Sequence, residues 1–368
     1  MQDGDGLPAD FKDTPITESA HGTCRTVERY LKERLEKASG SEATVLTKML
    51  INVRILGRLL EFCPTQAGKE AVARAITSAL LEGEEYLGTP EFIAKLSELG
   101  GHYDKYFIRT FRKAKGATPQ SSEHPSRPSF DCKSELIKEW LVPYPKDHRA
   151  AKRSALVRDN FRCIISGRLD SNADDFIDAE DGDATIERTE CAHIFSEPTN
   201  SNSNDAEMAD YASKACTILQ TFGYPEIRKE LEGHSVHRLS NIMTLSATIR
   251  DWFDNLKLWL QPTIVPNVYN VETREDHDRK VFHRYKVPRQ VTLTTRDPQL
   301  DLPDPKYLGL HSACCRIAHL SGAADYLDKM DRDNHPSSLI SLNQEFTDIL
   351  TARLFDLQTS HQLVEVSA

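Results

Sequence analysis

The chain has 368 residues, 39% of them hydrophobic, enough for more than one buried core at a mean hydropathy of -0.50. Its 46 Lys and Arg face 56 Asp and Glu, a formal net charge of -10, which excludes a protein that coats nucleic acid over its whole surface, because such binding needs clustered cations to release counterions. Eight cysteines without a Cys-x-x-Cys pair argue against a redox motif, a zinc ribbon or a disulfide scaffold.

Met1 to Thr14 is acidic where a secretory leader needs a cationic and then an apolar stretch, and no later apolar run approaches membrane-spanning length. The expectation is an intracellular protein with reduced thiols and no membrane partner, nuclear or cytoplasmic, with residues 1–20 disordered. Residues 21–115 read as helical. Between Thr44 and Cys63 the residues Val45, Leu46, Met49, Leu50, Val53, Leu56 and Leu60 recur at helical spacing. Glu70 to Leu81 is a second amphipathic helix, and Thr89 with Pro90 forms the N-cap and first turn of a third. The stripe predicts a bundle core, with a docking surface for a protein partner as the alternative.

Residues 116–130, mostly Pro, Ser and polar, form a linker. Then Lys146 to Arg162 carries six Lys or Arg against two Asp. Lys152, Arg153, Arg158 and Arg162 are the candidate phosphate contacts, against the plainer reading of a solvated helix face. A short strand, Arg162 to Ser166, precedes an acidic loop from Asp170 to Asp183, which lacks the ligand register of a calcium loop and reads as a disordered insertion. Further on come a strand from Ile186 to Phe195 and a helix from Asp205 to Phe222. Asn241 to Pro262 reads as a turn, a Ser246-capped helix, and a strand with Leu256, Leu258 and Leu260 on one face. Strands near Phe282 to Val287 and Val291 to Thr295, one long helix from Asp304 to Met330 and another within Ser337 to Leu363 complete the series.

Three segments, RDNFRCIISGRLD (158–170), ECAHIF (190–195) and NIMTLSATIRDWFDNLKLW (241–259), resemble in this order the HNH (ββα-metal) endonuclease domain of fungal proteins. YLGLHSACCRIAHLSGAADYLDKM (307–330) is similar to the C-terminal helix of the same proteins. The resemblance implies an α+β fold. A helical N-terminal region precedes a ββα-metal HNH-like domain with extra strands over 131–300, its core at 161–262, and C-terminal helices follow over 301–368.

The implied activity is phosphodiester hydrolysis in nucleic acid, with DNA the expected substrate. In that family a strand His deprotonates water while a divalent ion, Mg2+ or similar, stabilises the developing charge. His193 stands at the base position, and its bland alternative is a satisfied core histidine between Ala192 and Ile194. Asn241 would hold the facing loop through an amide that donates and accepts at once. The family's metal-binding His falls on Arg250, whose guanidinium has no lone pair to coordinate a cation but suits phosphate oxygens. Asp254, helped by Asp251 or Glu190, is the substitute metal ligand. The simpler alternative pairs Asp251 and Asp254 with Arg250 on the helix surface. A third outcome is a catalytically inactive nucleic-acid-binding or protein-interaction scaffold.

Ala192 stands where many relatives carry a second ligand. Ser166 replaces the partner of Cys163 in a zinc pair, so no structural zinc is expected. Phe161, Trp252, Phe253 and Trp259 are assigned to the small core. His234, His237 and His283 are either supplementary ligands or ordinary turn and surface residues.

Overall fold

Pro15, with its φ fixed near the helical value, opens the first helix, α1 (Pro15–Leu35), inside the segment expected to be disordered. The computed structural model describes residues 6–81, 89–112, 143–171, 173, 185–195, 206–274 and 276–333. The linker, the acidic loop from 174 onward and the helix expected within Ser337 to Leu363 lie outside these residues. The described elements form an α+β protein of helices and small two- and three-stranded sheets. Among them no helix is long and apolar enough to cross a membrane.

The chain divides into two compact units, one of residues 1–105, 221–223 and 316–368, the other of 106–220 and 224–315. In the first, α1 packs on α2 (Gly40–Phe62), with α3 (Gln66–Leu81) and α4 (Pro90–Tyr103) around them. Thr89 caps α4 by accepting from the Phe92 amide. From Lys48 to Leu60 α2 is buried on all sides, and its charged residues survive burial because each is paired. Lys48 reaches Asp104 at 2.8 Å, Arg54 reaches Glu28 at 2.8 Å and Arg58 reaches Glu61 at 2.8 Å. The backbone of α4 comes so close that a Cβ on Gly100 would stand 2.0 Å from the Asn52 carbonyl oxygen. The long helix expected from Asp304 is two, α10 (Pro305–Ser321) and α11 (Ala323–Asp333), because Gly322 takes φ +84 and ends the first.

The second unit is organised on α5 (His148–Arg158), whose N-cap Asp147 accepts from the Ala150 amide at 2.8 Å. The expected strand at Arg162 to Ser166 is instead a tight turn. Gly167 adopts φ +70, its amide donates to the Cys163 carbonyl, and only a single bridge joins Arg162 to Leu169. Ile186 to His193 is split at Arg188. The pair β2 (Ile186–Glu187) lies parallel to β1 (Leu169–Asp170), while β3 (Thr189–His193) runs antiparallel to β4 (Ile242–Ser246), with Thr189 opposite Ser246 and His193 opposite Ile242. Where a turn was expected before Ser246, β4 is a strand buried at every position, because α5 and α8 (Ala247–Asp254) both pack on the β3–β4 pair and leave no polar face to alternate.

Ser246 occupies the cap position of α8, but its hydroxyl makes no capping bond and lies 3.4 Å from that of Tyr285. The inserted α6 (Ala206–Thr221) and the short α7 (Ile227–Glu230) precede β4. A three-stranded antiparallel sheet follows, of β5 (Leu258–Pro262), β6 (Val268–Thr273) and β7 (Gln290–Thr292). The strand expected at Phe282 is the end of α9 (Asp276–Arg284), whose Phe282 stacks on Trp252 at 4.3 Å. Phe161, Phe253 and Trp259 are buried, and Trp252 is half-buried.

Candidate functional site

The site begins with Arg158, at the last turn of α5. Placed by sequence among the phosphate contacts, it is instead 1% exposed. Its Nε and Nη2 donate to both Asp159 oxygens at 2.7 and 2.8 Å, and Nη1 and Nη2 donate to the carbonyls of Leu239 and Ile242 at 2.8 and 2.9 Å. Asp159 in turn accepts from the Thr244 amide. The guanidinium is thus a structural clamp between α5 and the start of β4, and burial removes it from any phosphate. Of the other basic candidates, Arg153 is exposed, Lys152 is half-buried, and Arg162 donates to the Gly167 carbonyl of its own turn at 2.9 Å.

Asn241 is fully buried at the end of that clamped turn. Its Oδ1 accepts from the Phe195 amide at 2.9 Å, and its Nδ2 donates to the carbonyls of Phe195 and Val236, each at 2.9 Å. The side chain therefore fixes the chain leaving β3, and with it His193, against the loop that carries His237.

Alternation along β3 puts Cys191 and His193 on one side of the strand and Glu190 on the other. Cys191 joins the apolar cluster of Ala151, Ala155 and Phe161 beneath α5. His193, half-buried at the strand end, faces two further imidazoles. Its Nε2 lies 3.1 Å from His237 Nδ1, and its ring centre lies 5.7 Å from that of His148, the first residue of α5. Loss of water around the ring is the largest cause that lowers His193 from 6.5 to about 3, and the charges of His148, His237 and Arg250 act in the same direction. Burial therefore favours the neutral imidazole, and these neighbours oppose its protonation.

On the other side Arg250, from α8, donates through Nη1 to Glu190 at 2.6 Å and through Nε to Asp254 at 3.3 Å. Asp251 lies apart on the exposed face, accepting from Asn255 Nδ2 at 3.0 Å. The carboxylates proposed to hold a hard divalent ion are thus already bridged by a guanidinium, and they do not fit a Mg2+ ion in that place. The arrangement matches the simpler alternative for Asp254, extended across to β3 by Glu190.

Two residues close to His193 were not singled out by sequence. Asp147 followed by a basic helix marks a helix start, but nothing in one sequence shows that His148 meets β3. Cys191 was counted only among the scattered thiols, although the alternation in ECAHIF places it on the His193 side. His237, read from sequence as either a supplementary ligand or an ordinary turn residue, lies against His193 at 3.1 Å. A groove lined by Arg279, Lys280, His283 and Arg284 on α9 adds a second cationic surface in this unit.

No family model, curated protein or solved structure matches this chain.

Proposed function

We propose that the β3–β4–α8 unit is an HNH-type site that binds nucleic acid and hydrolyses its phosphodiester bonds, DNA being the expected substrate, with His193 as general base and Arg250 as a fixed source of positive charge. The observation that carries the reading is a half-buried imidazole at a strand end, 3.1 Å from His237 and beside His148, that burial keeps neutral. A neutral ring has a lone pair to take a proton from water.

When His193 Nε2 donates to His237 Nδ1, His193 Nδ1 keeps its lone pair. A water oxygen attacks phosphorus as its proton passes to that nitrogen, and the bond to the leaving oxygen breaks, that oxygen taking a proton from solvent water. Phosphate beside the ring offsets the cationic neighbours and raises the basicity of His193 as substrate arrives. Arg250, held by Glu190 and Asp254 on the other face of β3, acts on that phosphate as nearby positive charge. No step requires an ion between Glu190 and Asp254.

A second reading is favoured by those same ion pairs. Two carboxylates more than balance one guanidinium, so Arg250 offers little charge to a transition state, which suits a domain that does not cut and binds through more exposed cations such as Arg153.

Cleavage of linear and supercoiled DNA by the wild type and by His193→Ala, in chelator and in Mg2+, separates the readings. The hydrolytic reading expects cutting that persists in chelator and vanishes with His193→Ala. Equal cutting by the two proteins removes His193 as base. No cutting, together with salt-sensitive binding that weakens in Lys152→Ala and Arg250→Ala, establishes the binding domain.

A further inference from the structure

The geometry points to a second role for the same corner of the fold: a site for one borderline-soft divalent cation, Zn2+ in class, held by His148, Cys191 and His193. One ligand atom from each of these side chains lies within 4.8 Å of the other two. Tetrahedral zinc, at about 2.0–2.1 Å from nitrogen and about 2.3 Å from sulfur, needs donors about 3.3–3.6 Å apart. The triangle therefore has to close by at most about 1.5 Å. Cys191 is fixed in the packed strand, whereas His148 sits at the first position of α5 and is half-buried, as is His193. Those two rings can swing toward the sulfur.

The donor set selects the ion. Two imidazoles and a thiol suit zinc and its neighbours and discriminate against Mg2+ and Ca2+, which take oxygen ligands. Burial raises the Cys191 thiol to about 12, with the charges of Arg250, Arg158 and Lys152 pulling the other way. A bound cation adds to that pull and displaces the thiol proton to solvent. The two half-buried rings provide the approach from solvent and leave the fourth position to water.

Occupancy would have a functional consequence, which rests on the proposed role of His193. A metal bound by its imidazole takes the lone pair that otherwise accepts the proton of water, so Zn2+ switches hydrolysis off.

The test uses the full chain, reduced and stripped of metal by chelator, titrated with Co2+ as the probe. The expected result is one equivalent bound, with a thiolate-to-cobalt charge-transfer band and the visible bands of tetrahedral Co2+, both bleached by Zn2+. Cys191→Ser should abolish the charge-transfer band. His148→Ala, at a half-buried helix start, should weaken Co2+ binding at least about tenfold while far-UV circular dichroism stays unchanged. Absence of the bands from the wild type at micromolar Co2+ overturns the site. So does their persistence, unchanged, in both variants, which would assign them to other thiols. Bands without any cleavage by the wild type would leave the metal site standing and defeat the hydrolytic reading. Metal-free cleavage that Zn2+ does not inhibit, without bands, would do the reverse.

Discussion

Replacing Arg158 with Met keeps most of the side chain's volume but removes every donor from a fully buried clamp. The structure shows what is lost: two bonds to Asp159, and one each to the carbonyls of Leu239, Ile242 and Asp301, the last at 3.0 Å. Asp159, itself 8% exposed, then keeps the bond from the Thr244 amide. Breaking a buried pair by removing one partner costs about 3–5 kcal/mol, because the surviving charge is stranded. Against a typical total of about 5–15 kcal/mol that is a large fraction. With a urea slope of about 2 kcal/mol per molar it moves the midpoint down by about 2 M. Trp252 and Trp259 lie in the same unit and report its unfolding by fluorescence. Adding Asp159→Asn removes the stranded charge and should restore about 0.5–3 kcal/mol, measured as the coupling in a double-mutant cycle. A loss under about 1 kcal/mol for Arg158→Met, joined to a selective drop in DNA affinity, would refute the structural assignment and return Arg158 to the phosphate contacts.

Other consequences can be checked singly. Gly100→Ala drives a Cβ into the Asn52 backbone and should destabilise the first unit by at least about 1–3 kcal/mol, read as a lowered melting temperature; Gly101→Ala, whose Cβ would meet only the Asn52 side-chain amide at 3.1 Å, should cost less. His311, stacked on Phe253 at 3.8 Å, is lowered by burial from 6.5 to about 3. Below 6.5 the unfolded chain takes up a proton that the folded chain refuses, so stability present above 6.5 is lost as pH falls toward 3, by up to about 1.4 kcal/mol per pH unit. His311→Asn should flatten that dependence in melts at stepped pH, and an unchanged slope would assign the acid sensitivity elsewhere. Arg250→His removes the guanidinium bridge between Glu190 and Asp254 and supplies a lone pair; Mn2+ affinity by calorimetry should rise at least about tenfold, and no change would mean that the guanidinium is not what prevents binding there.

The helical first unit was largely legible because its signals are local. A repeating apolar stripe gave α2 and a Thr-Pro pair gave α4, whereas α1 was partly hidden by the acidic, Gly- and Pro-containing segment before it. Strands were harder. β4 is covered on both sides, so IMTLS shows no alternation, and VFHRYKV reads as apolar alternation although α9 extends to Arg284. At the site, His193, Asn241 and Arg250 were found through segments that resemble a known domain. The plain alternative for Asp254 described its pairing, but Arg158 was misplaced because a charge run does not reveal which members turn inward. His148 escaped for a different reason: its approach to His193 depends on packing between distant segments, which periodicity in either one does not encode.

The first unit is completed only by α10 beyond Arg316 and by α11, which packs on α2. During synthesis the ribosome therefore delivers the whole of the second unit before the helix that covers α2 emerges. At about 5–20 residues per second, α2 waits for many seconds with part of its apolar surface bare. The nascent chain is thus most vulnerable to aggregation, and most in need of a chaperone, at the segment that becomes one of the best packed in the finished protein.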